Sequence, residues 1–172
     1  MVKKVFDKTT VGSTPPIKND SISLIYTSIK EQLASQQDQK RSIESKASTL
    51  IAFAGGIFAL DMGAWDTIIK FPVVSQIFIL IGVGFFIISI IFSSIVAGVR
   101  KYRSDPEPEA FAKYYLDKPL EETHLQVISN WVDSWKANNK VLEQKALYLR
   151  ITFIIQTIAF LLHGIALFVA IL

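Results

Sequence analysis

Two stretches of this sequence carry no charged side chain: residues 71–99 and residues 151–172. A charge-free apolar run longer than about 18 residues is enough to carry a helix across the hydrocarbon of a bilayer. Such a run has few other uses, because a helix is the one single-segment structure that satisfies all of its own backbone groups in lipid. The chain of 172 residues is 51% hydrophobic and only 19% charged, against about a quarter charged in an ordinary soluble domain. The deficit sits in particular segments, so the sequence excludes an ordinary soluble domain. It contains no cysteine, which removes disulfide scaffolds, cysteine metal sites and cysteine nucleophiles.

A third span is less obvious. The charge-free run from Ala47 to Leu60 is 14 residues, short of the roughly 17–25 that a span needs. Placing Asp61 at the water interface extends it, so that Lys46 and Asp66 bracket the segment and Trp65 falls where an aromatic belt forms. The second span lies within Phe71–Val99, with Phe71–Gln76 expected at the interface and Pro72 near the first helical turn. The third is Ile151–Leu172.

The charged segments read as helical too. Residues 1–18 are polar, carry Pro15-Pro16 and are expected to form a flexible tail. Asn19, Asp20 and Ser21 offer N-cap side chains. Behind them Ile22, Ile25, Ile29 and Leu33 repeat at helical spacing, and the repeat resumes at Ile43, Ala47 and Leu50. With no Gly or Pro in residues 17–54, one helix can run from Ser21 into the first span, or break near Ser35–Asp38. After the second span comes a proline-interrupted acidic turn at Ser104–Glu109, then Phe111, Tyr114, Tyr115 and Leu116 in a short helix closed before Pro119. A long helical pattern starts near Leu120, with Glu121 and Glu122 where the helix dipole favours acids. Leu125, Ile128, Trp131, Val132, Trp135, Leu142, Ala146 and Leu149 form its apolar stripe, and it is expected to continue into the third span.

The predicted fold class is an all-α membrane protein with three transmembrane helices, two of them extended into a cytoplasmic helical hairpin or bundle. Its segments are a tail (1–18), a cytoplasmic helix (19–46), span one (47–66), an outer loop (67–75), span two (76–99), a linker (100–119), a second cytoplasmic helix (120–150) and span three (151–172). Lys and Arg number eight in residues 1–46, one at Lys70 and nine in residues 100–150. The positive-inside rule then puts the N-terminus in the cytoplasm and the C-terminus on the outer, periplasmic side. Two spans would put nine cations outside, whereas three satisfy the rule.

Candidate functional residues fall in three groups. Small residues at spacing four (Ser48, Ala52 and Gly56; Gly55, Ala59 and Gly63; Ser89, Ser93 and Ala97) let helix backbones approach closely in lipid. Gly55, Gly56, Ser89 and Ser93 are expected to set helix contacts, within one subunit or between subunits. Gln156 and His163, seven apart, share a face of span three with Thr152 and Ala159. Intramembrane polar groups are costly, so Gln156, His163 and Asp61 are candidates for a membrane polar path. The alternatives are a neutral His163 bonded to a serine of span two, and Asp61 as an ordinary interfacial acid. Trp131 and Trp135 form a partner or ligand surface, or pack against the helix at Ile22–Leu33. Asn138, Asn139, Gln36 and Gln39 interrupt the two stripes, where polar residues fix register at a cost in stability.

Catalysis finds no pattern. There is no glycine-rich phosphate loop, G-x-S-x-G or H-E-x-x-H. His124 and Glu121 have metal-ligand spacing but lack a third ligand, and no basic patch interleaved with aromatics favours a nucleic-acid polymer. No catalytic residue, cofactor site or metal site is therefore expected.

Ile43-Glu44-Ser45-Lys46-Ala47-Ser48 leading into Leu50–Gly56, the segment Arg100–Tyr115, and Asn138–Leu149 with its lysine near the last span together resemble the Pycsar-effector-type transmembrane proteins of bacterial phage defence. The resemblance spans roughly residues 22–165. It implies a membrane effector, often paired with a nucleotide cyclase, that impairs the inner membrane when a cyclic nucleotide signals infection; the chain itself is expected to form a homo-oligomer. Some members carry a separate nucleotide-binding domain; here the aromatic-rich inner region is the place left for a ligand. The other function class is a non-catalytic anchor or adaptor for a cytoplasmic partner.

Overall fold

The computed structural model describes residues 19–98, 102–103, 109, 113–115 and 117–171. The expected tail and most of the acidic turn lie outside them, as do Phe111 and Leu116 of the short helix expected before Pro119, whose Tyr114 is helical. The helices whose bounds are described are α1 (Asn19–Gly63), α2 (Trp65–Ile68), α3 (Val73–Ala97) and α4 (Leu120–Ile171). α1, α3 and α4 are each long and apolar enough to cross a membrane.

α1 has no break at Ser35–Asp38: its 45 residues form one helix, about 68 Å long at 1.5 Å per residue. α4 has 52 residues and extends about 78 Å by the same rise. Both exceed a hydrocarbon layer of about 30 Å by more than half their length. They therefore project from the bilayer as a pair, while α3, with 25 residues, spans it and stops.

α3 begins at Val73, three residues before the expected start. Pro72 is its N-cap residue, at φ −52° and ψ 143°. The fixed proline φ and missing N–H suit a helix start. Gln76 then folds back, its Nε2 donating to the carbonyls of Ile69 (3.0 Å) and Phe71 (2.9 Å). This closes the turn from α2, whose Ile68 is buried against Ile79 and Ala166.

α3 is the central helix. Of its most apolar window 33% is buried, against 17% in α4 and 11% in α1. It runs antiparallel to the other two, which lie parallel. The seam of α1 follows Ile22, Gln36, Ala47 and Ala54, and that of α4 follows Val127, Ser134, Asn138, Leu142, Lys145, Thr152, Gln156, Ala159 and Ala166. Steps of three and four keep one face of a helix toward its neighbours over such a length.

The expected apolar stripe of α4 needs correction. Leu142 is buried and both tryptophans are half-buried, but Leu125 is 47% exposed and Ala146 is exposed. The buried positions include Ser134, Asn138 and Lys145. For Asn138 and Lys145 hydrogen bonds offset the burial of a polar side chain. Asn138 is the clearest case: its Oδ1 accepts from the Arg103 N–H and its Nδ2 donates to the Arg103 carbonyl, both at 2.9 Å. That two-way pairing straps the chain after α3 onto α4. Tyr102 beside it lies under the Lys40 ammonium at 4.9 Å, and burial pushes its phenol up from the ordinary value.

Candidate functional site

Three polar layers cross the seam. The first lies where the charged halves of α1 and α4 meet the spans. Lys145 is 1% exposed in its side chain, and its Nζ donates to Glu44 Oε1 of α1 and, at 3.0 Å, to the carbonyl of Gly98 at the C-terminus of α3. One ammonium thus joins all three long helices. Its charge also sits at the negative end of the α3 dipole. A buried cation is tolerated only when paired and hydrogen-bonded, and this one is both.

The second layer lies about three turns of α4 deeper, at Gln156. Ser89 Oγ donates to Gln156 Oε1 at 3.3 Å, and Gln156 Nε2 donates to the Leu50 carbonyl at 3.4 Å. Again one side chain of α4 reaches both partners. Beyond it stands an apolar layer of Ala54, Phe86 and Ala159, with Phe86 fully buried. The Phe160 ring meets Phe53 at 4.9 Å and the edge of Phe86 at 5.4 Å.

The third layer is a histidine–aspartate pair. His163 Nε2 lies 3.0 Å from Asp61 Oδ2, and its Nδ1 lies 3.0 Å from the Ala159 carbonyl. The side chains are only 14% and 16% exposed. His163 is therefore bonded to Asp61 rather than to a serine of span two, and Asp61 turns inward rather than into the water interface. The partners constrain the protons. A carbonyl and a carboxylate both accept, so an Nδ1–H can serve Ala159 and an Nε2–H can serve Asp61.

Gly82 makes room for this ring, and sequence reasoning missed it. A Cβ at Gly82 would fall 2.4 Å from His163 Nδ1 and 3.3 Å from the Ala159 carbonyl. The antiparallel order of α3 and α4 offered a signal: counting inward from their neighbouring ends brings a mid-span glycine to the level of the only histidine in a span.

The other expected residues fall as follows. Ser89 and Ser93 are fully buried in the seam. Gly55 and Gly56 are not: both are exposed, and a Cβ on either would meet nothing within 4 Å. Inside the chain, the close approach of α1 uses Ala47 and Ala54 instead, because the seam follows the three-and-four steps from Gln36. Trp131 packs on Tyr26 with centroids 4.8 Å apart, and the Trp135 carbonyl accepts from Gln36 Nε2 at 3.1 Å. His124 is half-buried, its ring 5.1 Å from that of Tyr26 between centroids. Beside it, Ile22, Ser23 and Pro119–Glu121 line a cleft of about 490 Å³ at the charged tip of the molecule. No group of three metal-ligating side chains occurs among the described residues.

A helical chain with three spans and two helices continuing into a charged layer matches, over residues 28–172, the family model of the Pycsar effector protein domain. The chain belongs to the Pycsar effector family. This places it among transmembrane effectors of antiviral defence, a family of effectors rather than of known enzymes. The match takes in all three polar layers and leaves out only residues 1–27. No curated protein and no solved structure matches the chain.

Proposed function

We propose that this protein is an inner-membrane effector of phage defence that oligomerises and permeabilises or otherwise perturbs the membrane in response to a nucleotide signal. The observation that carries this reading is the family match over residues 28–172. The seam supplies a physical rationale. In the closed bundle Ser89, Gln156, Asp61 and His163 bond one another, and Phe86 with Ala159 stands between the two layers. A bundle so closed has little reason to leak. Three helices are also too few to enclose a water-filled channel around these groups, so a path needs several copies. Separation of α3 from α1 and α4 would free Ser89 and Gln156 from each other and uncover the Asp61–His163 pair to line a hydrated path between copies.

Opening must begin where a signal can reach. The cleft at Ile22, Pro119 and His124 stands at the cytoplasmic tip under the positive-inside reading, on the two helices that continue into the spans. A ligand held there bears directly on the spacing of α1 and α4. The adaptor reading is the weaker one, because Trp131 and Trp135 already engage α1.

The test is induced expression with and without a co-expressed nucleotide cyclase, read by a potential-sensitive dye. The proposal expects depolarisation and growth arrest when both are present. An unchanged potential with the protein inserted and the nucleotide made would reject it.

A further inference from the structure

α1 and α4 run parallel from their charged halves into the spans, and a groove of about 470 Å³ opens between them at the crossing point. Lys46 and Arg150 stand at its rim, while Leu50, Leu149 and Phe153 line it. These two cations are the last charges before the charge-free runs 47–60 and 151–172. In each helix apolar lining follows one turn deeper, at Leu50 and Phe153. The groove is therefore polarised along the bilayer normal, cationic at headgroup level and apolar below.

Neither cation has an ion-pair partner among the described residues. The nearby carboxylate, Glu44, is held by the buried Lys145. The Thr49 hydroxyl at the same level donates to the Ser45 carbonyl at 3.0 Å, so the rim presents two exposed cations to the headgroup region. A guanidinium and an ammonium flanking one position suit a phosphate, the first as a bidentate donor and the second as a point charge.

We infer that this groove seats an anionic phospholipid, its headgroup phosphate between Lys46 and Arg150 and an acyl chain along Leu50 and Phe153. Such a lipid bridges α1 and α4 beside the Lys145 layer. The inference stands apart from any signal or leak, because it uses only the closed bundle.

Native mass spectrometry of the full-length protein in detergent, equilibrated with phosphatidylglycerol or phosphatidylcholine, tests it. The wild type should retain phosphatidylglycerol in preference. Lys46→Gln with Arg150→Gln should weaken retention about thirtyfold, from the loss of two cations near a headgroup. Lys46→Arg with Arg150→Lys should keep most of it. Lys30→Gln with Lys140→Gln, which removes the same charge elsewhere, should leave retention unchanged. Phe153→Ala should weaken retention as well, and glycerol phosphate should not displace the lipid. Equal retention of the two lipids, full retention by the double glutamine variant, or an equal loss in the Lys30/Lys140 control would overturn the inference. So would displacement by glycerol phosphate, which would make the groove a site for free phosphate.

Discussion

His163 shows how a residue's surroundings decide its chemistry. Alone in a span it reads as a candidate for a membrane polar path. Bonded to Asp61 and to the Ala159 carbonyl, it is one half of a pair that ties α4 to α1. Removing one member leaves the other without its partner inside a low-dielectric seam. His163→Ala is therefore expected to lower stability by about 2–3 kcal/mol, read as a fall in unfolding midpoint in detergent. Asp61→Asn should cost less, since an amide N–H can donate to Nε2 of a neutral ring. Gly82→Ala tests the same contact from the opposite helix. Its Cβ displaces the ring at 2.4 Å, so its unfolding midpoint should fall toward that of His163→Ala, and adding it to His163→Ala should cost little more. Full additivity of the two would show that the glycine serves something other than the ring.

At the scale of elements, helix extents were the legible part of the sequence. α1 and α4 contain no proline to stop them, and Pro72 marks the start of α3. The buried faces were harder to read, for a reason rooted in the solvent. In lipid there is no hydrophobic drive to bury leucine, so Leu80, Leu161 and Leu167 remain exposed and apolar periodicity carries no information. Polar and small residues mark the seam instead: Thr152, Gln156 and Ala159 shared a face in the sequence and share one in the fold. Beyond the span, apolar spacing put Leu125 and Ala146 on the stripe. The long-range bonds that bury Asn138 and Lys145 leave no trace in local spacing. The pairing of Asp61 with His163, 102 residues apart, is invisible for the same reason.

The Lys145 layer gives this scale its own prediction. Lys145→Ala strands Glu44 and the Gly98 carbonyl at a three-helix junction, and should cost about 3 kcal/mol. Glu44→Gln retains an acceptor for the ammonium and should cost less. Asn138→Ala removes two bonds worth about 1 kcal/mol each. Its expected signature is faster proteolysis between α3 and α4 with the spans intact, measured by limited digestion and fragment mass.

For the whole molecule, 17 of the 18 basic residues lie in the two regions that precede or separate the spans on one side. The positive-inside rule turns that asymmetry into an orientation. A reporter fused after Leu172 is expected to be active only as a periplasmic fusion, and activity of a cytoplasmic reporter there would reverse the proposed topology. The larger claim is that the polar seam, closed in the resting bundle, is the part that harms the membrane when it opens. An apolar seam tests it most directly: Ser89→Ala with Gln156→Leu removes the second layer and its bonds. In cells co-expressing a nucleotide cyclase and monitored with a potential-sensitive dye, the wild type should depolarise the membrane, and this variant, inserted at the same level, should leave the potential intact. Equal depolarisation by the two would contradict the account.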